Sequence, residues 1–179
     1  MLKAKDAVLV VVDIQGKLAT LMDRKEEFYE NVVRIIKGAR VLEIPIIWNE
    51  QLPDKLGPTI DKIKSALPGQ SPLIKRTFSC CGNPDFMSEL KAIGRGQVIL
   101  AGMETHVCVY QTALDLLDDG HAVYIAADAV SSRSAENKRI ALDAMRDAGV
   151  KITSVEMALF AVLRVAEGNR FRELLKIVK

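Results

Sequence analysis

A chain of 179 residues, 49% apolar and 27% charged, has the size and composition of one domain, residues 1–179, with a substantial aliphatic core. Its net charge of +2 comes from 25 basic and 23 acidic residues spread without long single-sign blocks, so neither nucleic acid nor an anionic membrane is indicated as a partner. The apolar run Ala7–Val12 is too short to cross a bilayer, and three cysteines, two of them adjacent, make neither a disulfide framework nor a paired zinc motif. A soluble, cytoplasmic protein in a reducing compartment is the expectation.

Strand-like and amphipathic runs alternate from end to end, the pattern of a three-layer α/β protein whose mainly parallel sheet is covered on both faces. "AVLVVVD", Ala7 to Asp13, is the first buried strand. A helix follows from about Glu26 to Leu42, where Phe28, Val32, Ile35, Ile36 and Ala39 recur at three- and four-residue steps. "IPIIWNE" is the second strand, Gln51 to Gly57 a polar loop, Ile60 to Leu67 a short helix, and "PLIKR" the third strand. The scheme then repeats with a helix over Asp85–Ile93, the strand "QVILAG", a helix over Thr105–Asp119 stopped by Gly120, and the strand "AVYIAAD". Glu136–Ala148 is helical, "VKITSV" is the sixth strand, and "EMALFAVLRVAE" and "RFRELLKIVK" close the chain as helices. No repeat, linker or low-complexity segment interrupts it.

Ligands of open α/β sheets bind outside the carboxyl ends of the strands, and three chemically useful residues meet that rule. Asp13 ends the first strand, where desolvation raises a carboxylate pKa toward that of a general base; the plain alternative is a cap for the turn after it. Lys75 ends the third strand, and alone reads as a solvated charge; beside Asp13 and a thiolate it would stabilise both anions. Cys108 follows the fourth strand by a short turn. A free cysteine is most often a small buried hydrophobe, as its valine neighbours suggest. With Thr105 as N-cap, however, Cys108 lies in a first helical turn, where the dipole favours thiolate and unpaired N–H groups can hold an oxyanion.

The stretches "VLVVVDIQ", "IKRTFS" and "ILAGMETHVCV", in that order, resemble the isochorismatase-like cysteine hydrolase superfamily from Ala7 to about Ala161. The resemblance implies a Rossmann-like, doubly wound six-stranded sheet of order 3-2-1-4-5-6 and a catalytic Asp-Lys-Cys triad on Asp13, Lys75 and Cys108. It also implies a cis peptide at Met103-Glu104 and an oxyanion hole made by the backbone N–H groups of Glu104 and Cys108. Family members commonly form homo-oligomers. Nicotinamidases of the superfamily carry a metal on an Asp-x-His pair after strand two, whereas the matching stretch here is "WNEQLPDKLG", without histidine, so no metal is expected.

"GRG" at Gly94 to Gly96 precedes a strand instead of following one, and "DIQGKL" has one glycine, so no dinucleotide or other cofactor is expected. The reading is a cysteine hydrolase that cleaves a C–N bond of a small amide or ureide through a thioester. Gln15, Trp48, Gln51, Phe78 and His106 are the candidate substrate-pocket residues. The alternatives are an isochorismatase-type ether hydrolase, a non-catalytic binding or scaffold member of the family, and a thiol sensor built on Cys80 and Cys81.

Overall fold

A computed structural model describes residues 1–179. Six strands, β1 (Ala7–Val12), β2 (Ile46–Gln51), β3 (Leu73–Lys75), β4 (Gln97–Met103), β5 (Ala122–Ser131) and β6 (Lys151–Thr153), form one sheet in the order β3-β2-β1-β4-β5-β6. Every pairing is parallel, so the order expected from the resemblance is the one found. The topological switch lies between β1 and β4, and the carboxyl ends of both strands open onto the same crevice.

β1 is buried on both faces, which explains its unbroken apolar run. Successive side chains of a strand point to opposite faces. Ala7, Leu9 and Val11 therefore enter one core with α2 (Lys25–Val41), α8 (Val155–Leu163) and α9 (Gly168–Val178). Val8, Val10 and Val12 enter a second core with α5 (Pro84–Ile93), α6 (Tyr110–Asp118) and α7 (Ala135–Asp147). The periodic apolar residues Phe28, Val32, Ile35 and Ile36 of α2 are all buried in the first core. The β1–β4 seam is close: a Cβ on Gly102 would stand 2.3 Å from the Val12 carbonyl oxygen, so only glycine fits opposite Val12.

Helix ends follow capping chemistry in several places. The side chains of Asn83, Ser134 and Ser154 accept from the N–H groups of Asp85, Asn137 and Met157. Three sequence expectations are corrected. The polar loop after β2 contains a helical turn, α3 (Pro53–Leu56), because Pro53 sits at its first position with φ already helical. β5 runs to Ser131 and not to Asp128, since β4 keeps pairing past a bulge, with Gly102 beside Val130 and Met103 beside Ser131. The predicted helix at Thr105–Asp119 divides into a π-helical turn, Thr105–Val109, and α6. Two further short helices, α1 (Gly16–Ala19) and α4 (Asp61–Lys64), flank the crevice loops.

No helix is long and apolar enough to cross a membrane.

Candidate active site

Asp13 leaves β1 with φ 55°, a left-handed conformation that Asp tolerates better than most residues, and its N–H donates to the Asn49 carbonyl at 3.2 Å. It is not a helix cap; α1 begins after Gln15. The carboxylate is buried and pairs with Lys75, whose Nζ lies 2.6 Å from Asp13 Oδ2. Oδ1 has no hydrogen-bond donor.

Lys75 is 1% exposed, which answers the surface-charge alternative. Besides Asp13, its ammonium donates to Gln51 Oε1 at 3.1 Å and to the carbonyls of Thr77 at 3.0 Å and Phe78 at 2.8 Å. A buried ammonium is tolerable only when its donors are taken in this way. Lysine can only donate, so the Gln51 amide must present its oxygen here and turn Nε2 away.

Cys108 sits in the π-helical turn, and its thiol donates to the same Gln51 Oε1 at 3.3 Å. Three strand ends thus converge on one thiol, one carboxylate and one ammonium, joined through Gln51. Burial raises the Asp13 pKa above its ordinary value, against the pull of the Lys75 charge. Burial, reinforced by the Asp13 charge, pushes the Cys108 thiol up to about 12. The expected thiolate-favouring environment is therefore corrected. Desolvation outweighs the turn's dipole, and Lys75 is already paired with the carboxylate. The arrangement is a neutral thiol beside a base with a free oxygen, suited to proton transfer when an electrophile arrives.

Glu104 starts this turn with φ 55° and ψ 58°. The Met103-Glu104 bond is trans, as are all others, which corrects the cis bond the resemblance implied; the left-handed residue makes the chain reversal instead. Thr105 is not the N-cap: it lies inside the turn, and its buried Oγ1 has no partner. The Glu104 carbonyl accepts from Val107 N–H at 2.8 Å, while its own N–H donates to no backbone carbonyl.

A cavity of about 370 Å³ opens onto these groups. Its walls are Leu18, Leu56, Phe78, Met103 and Val107, and its polar lining is Asp13, Gln51, Glu104, Cys108 and Arg133. Of the five residues proposed for the pocket, Gln51 and Phe78 line it, with Phe78 half exposed at the rim. Three do not. Gln15 is fully buried and clamps the crevice loops, accepting from Gln51 N–H at 2.7 Å and donating to the carbonyls of Gln51 and Gly57. Trp48 points into the first core and donates to Thr59 Oγ1 at 2.9 Å. His106 turns away to Ser132, with Nδ1 3.0 Å from the hydroxyl, and its Nε2 lies 3.7 Å from the Glu104 carboxylate. A wider groove of about 620 Å³ beside α5, around Lys91, Arg95, Asp119 and His121, is lined by no cysteine.

Arg133 escaped the sequence reading, which also left the role of the Glu104 side chain open. Arg133 Nε and Nη2 each lie 3.2 Å from a Glu104 oxygen, a bidentate fork. The strand-end rule would have found Arg133 had the fifth strand been carried to Ser131.

The segment matching the metal-binding stretch of nicotinamidases does not fit a metal. Glu50 is buried and accepts from Thr59 N–H at 2.7 Å, Asp54 is exposed on α3, and no group of three or more His, Cys, Asp or Glu is placed to hold an ion.

Residues 7–157 match the isochorismatase domain as a protein family. Isochorismatase domain-containing protein 2 of Danio rerio is 36% identical over 178 residues, covering 99% of this chain and 89% of its own. The MAR1 ribonuclease of Caenorhabditis elegans superposes with a TM-score of 0.92 at 35% identity, over 99% of this chain and 91% of that one. YcaC of Pseudomonas aeruginosa, solved with hexane-2,5-diol and covalent acrylamide, superposes with a TM-score of 0.91 at 28% identity, over 98% and 90%.

Proposed function

Because this chain belongs to the isochorismatase-domain family, we propose that it is a cysteine hydrolase that cleaves the C–N bond of a small amide or ureide through a thioester at Cys108. The observation that carries the reading is that Asp13 and Cys108 line one cavity, with Lys75 paired to Asp13 behind it and Asp13 Oδ1 free to take a proton. Asp13 removes the thiol proton as the sulfur attacks the carbonyl carbon. The N–H groups of Glu104 and Cys108 hold the oxyanion, and the C–N bond breaks as protonated Asp13 gives that proton to the leaving nitrogen. Water, deprotonated by Asp13, attacks the thioester; the acid departs and the thiol is restored. Lys75 keeps the Asp13 carboxylate in place and stabilises it between proton transfers. No step calls on a metal or an organic cofactor.

YcaC of Pseudomonas aeruginosa carries covalent acrylamide. The counterpart here is addition of the Cys108 thiol across the acrylamide double bond, which forms the carbon–sulfur bond and puts the proton on the adjacent carbon. A ribonuclease reading, after the description of the Caenorhabditis elegans protein, is less favoured. A phosphodiester backbone calls for free cations, whereas Arg133, which lines this cavity, is held by Glu104, and Lys75 lies buried behind Asp13.

The test is a panel of small amides and ureides with ammonia or amine release as readout, followed by acid quench and intact-mass measurement. Turnover with an acyl adduct mapped to Cys108 supports the reading; turnover unaffected by Cys108→Ala rejects it.

A further inference from the structure

The charges around the cavity are paired with one another before any substrate arrives. Asp13 holds Lys75 at 2.6 Å, and Gln51 and two backbone carbonyls share the two remaining N–H donors of its ammonium. Glu104 holds Arg133 in a two-point fork, with His106 Nε2 3.7 Å from the same carboxylate. The two members of that fork are not equally placed. The Glu104 side chain is 9% exposed and the Arg133 side chain 57%, so the carboxylate lies inward and the guanidinium covers it from the solvent side.

From this we infer that the site selects uncharged acyl compounds with a short apolar group and rejects those that carry a carboxylate. The inference rests on the hydrolase reading for its chemistry, but the selection by charge stands on the cavity itself. A carboxylate entering past Phe78 meets the Glu104 anion, with Asp13 beyond it. The edge of Arg133 that faces Glu104 is taken, and a carboxylate that draws on the remaining Nη donors must share a cation Glu104 already neutralises, beside the Glu104 anion itself. Bringing a second anion up to the inward-lying Glu104 carboxylate is unfavourable, and walls of Leu18, Leu56, Met103 and Val107 give little screening. A neutral amide meets none of these costs. Its alkyl group packs on those walls, and about 370 Å³ restricts it to the small end of ligand size. Selection of this kind works by repelling the wrong ligand as much as by attracting the right one.

The experiment compares two alkylating agents of nearly the same size, neutral iodoacetamide and anionic iodoacetate. Each forms a carbon–sulfur bond as iodide leaves and the thiol proton goes to solvent. The rate of Cys108 modification is followed by peptide mass at mildly alkaline pH, and the ratio of the two rates is divided by the same ratio for glutathione. The expected ratio exceeds that of glutathione by about tenfold, because the Glu104 anion lies nearer the cavity interior than the Arg133 cation that partly offsets it. Glu104→Gln should bring the ratio back toward that of glutathione, and Arg133→Ala should widen it.

A wild-type ratio equal to or below that of glutathione overturns the inference, as does a ratio that Glu104→Gln leaves unchanged. In parallel, ammonia release from butanamide and from succinamate separates the two levels of argument. Turnover of butanamide alone supports both. Equal turnover of the pair removes charge selection and keeps the hydrolase. Charge-selective labelling without turnover of any amide removes the hydrolase and keeps the selection. A Cys108 that reacts with neither reagent and turns over neither substrate overturns both.

Discussion

Two short turns at the carboxyl ends of the strands carry the three cysteines, and they share a hydrogen-bonding threonine. Cys80 N–H donates to Thr112 Oγ1 at 3.0 Å, and that hydroxyl donates to the Cys108 carbonyl at 2.7 Å. Cys80 and Cys108 also belong to the same apolar core, and burial raises the thiol pKa of both. What separates them is what stands in front of the sulfur. Cys80 is wholly buried, 0% exposed, and lines no opening on the crevice. Cys108 faces a cavity, a carboxylate with a free oxygen and a glutamine oxygen that holds its proton. On the proposed reading, a nucleophile is defined here by access and by a base within reach, not by a low resting pKa.

Several measurements would break or sharpen that contrast. Cys108→Ala should lower turnover of any substrate found by about 10⁴-fold or more, whereas Cys80→Ala and Cys81→Ala keep it near wild type. Comparable losses at all three would erase the distinction.

Asp13→Asn should slow turnover about 10²–10⁴-fold by removing the base. Lys75→Met should in addition destabilise the fold by about 3–5 kcal/mol, because it strands a buried carboxylate. In that variant the folded-state pKa of Asp13 lies further above its unfolded value. The folded protein then holds the proton more tightly than the unfolded chain, so the deficit grows as pH rises through this range and shrinks in acid. Thermal melts across pH check the sign; a deficit that grows in acid would reject the pairing.

The wild-type pH profile sharpens the role of Asp13. On the proposed mechanism turnover needs its carboxylate, whose pKa is raised above 3.8 by burial, so the acidic limb of kcat/KM should fall at a pH above that of an ordinary aspartate. A limb at the ordinary value would assign it to another group.

Thr112→Val tests the shared link. It leaves the Cys80 N–H buried without an acceptor and should cost about 1–3 kcal/mol in chemical denaturation, with a small effect on turnover. A large kinetic effect with full stability would show that the two turns are coupled in function. The smallest expected effect is none: dialysis against a strong chelator should leave the rate unchanged. Activity lost on chelation and restored by one divalent ion would replace the cysteine mechanism with a metal-dependent one.

The sequence made the frame of the site legible because strand ends are marked by abrupt changes in polarity. Asp13 after six apolar residues, Lys75 after "PLI" and Cys108 a few residues beyond "VILAGM" are all visible in one dimension. Side-chain direction is not visible in the same way. Gln15, Trp48 and His106 stand near the right strand ends yet point to a loop clamp, a core and Ser132, since one step along a strand or turn changes the face. The π-helical turn was hidden because its sequence is compatible with an ordinary helix start, and Arg133 because a bulge prolonged β5 past the apolar run. The sign of the Cys108 shift depends on burial, which composition does not report.

Asp13, Lys75 and Cys108 lie far apart in the chain, and each follows or ends a strand whose partner is reached only through a crossover. Parallel pairing of this kind closes long loops before any contact rewards it, which slows folding. The crevice between β1 and β4 comes into being only when the amino-terminal strand has joined the strand that follows α5. The proposed site thus exists only once these distant strands have paired, and recovery of any turnover after denaturation should report that pairing more stringently than recovery of helix content does.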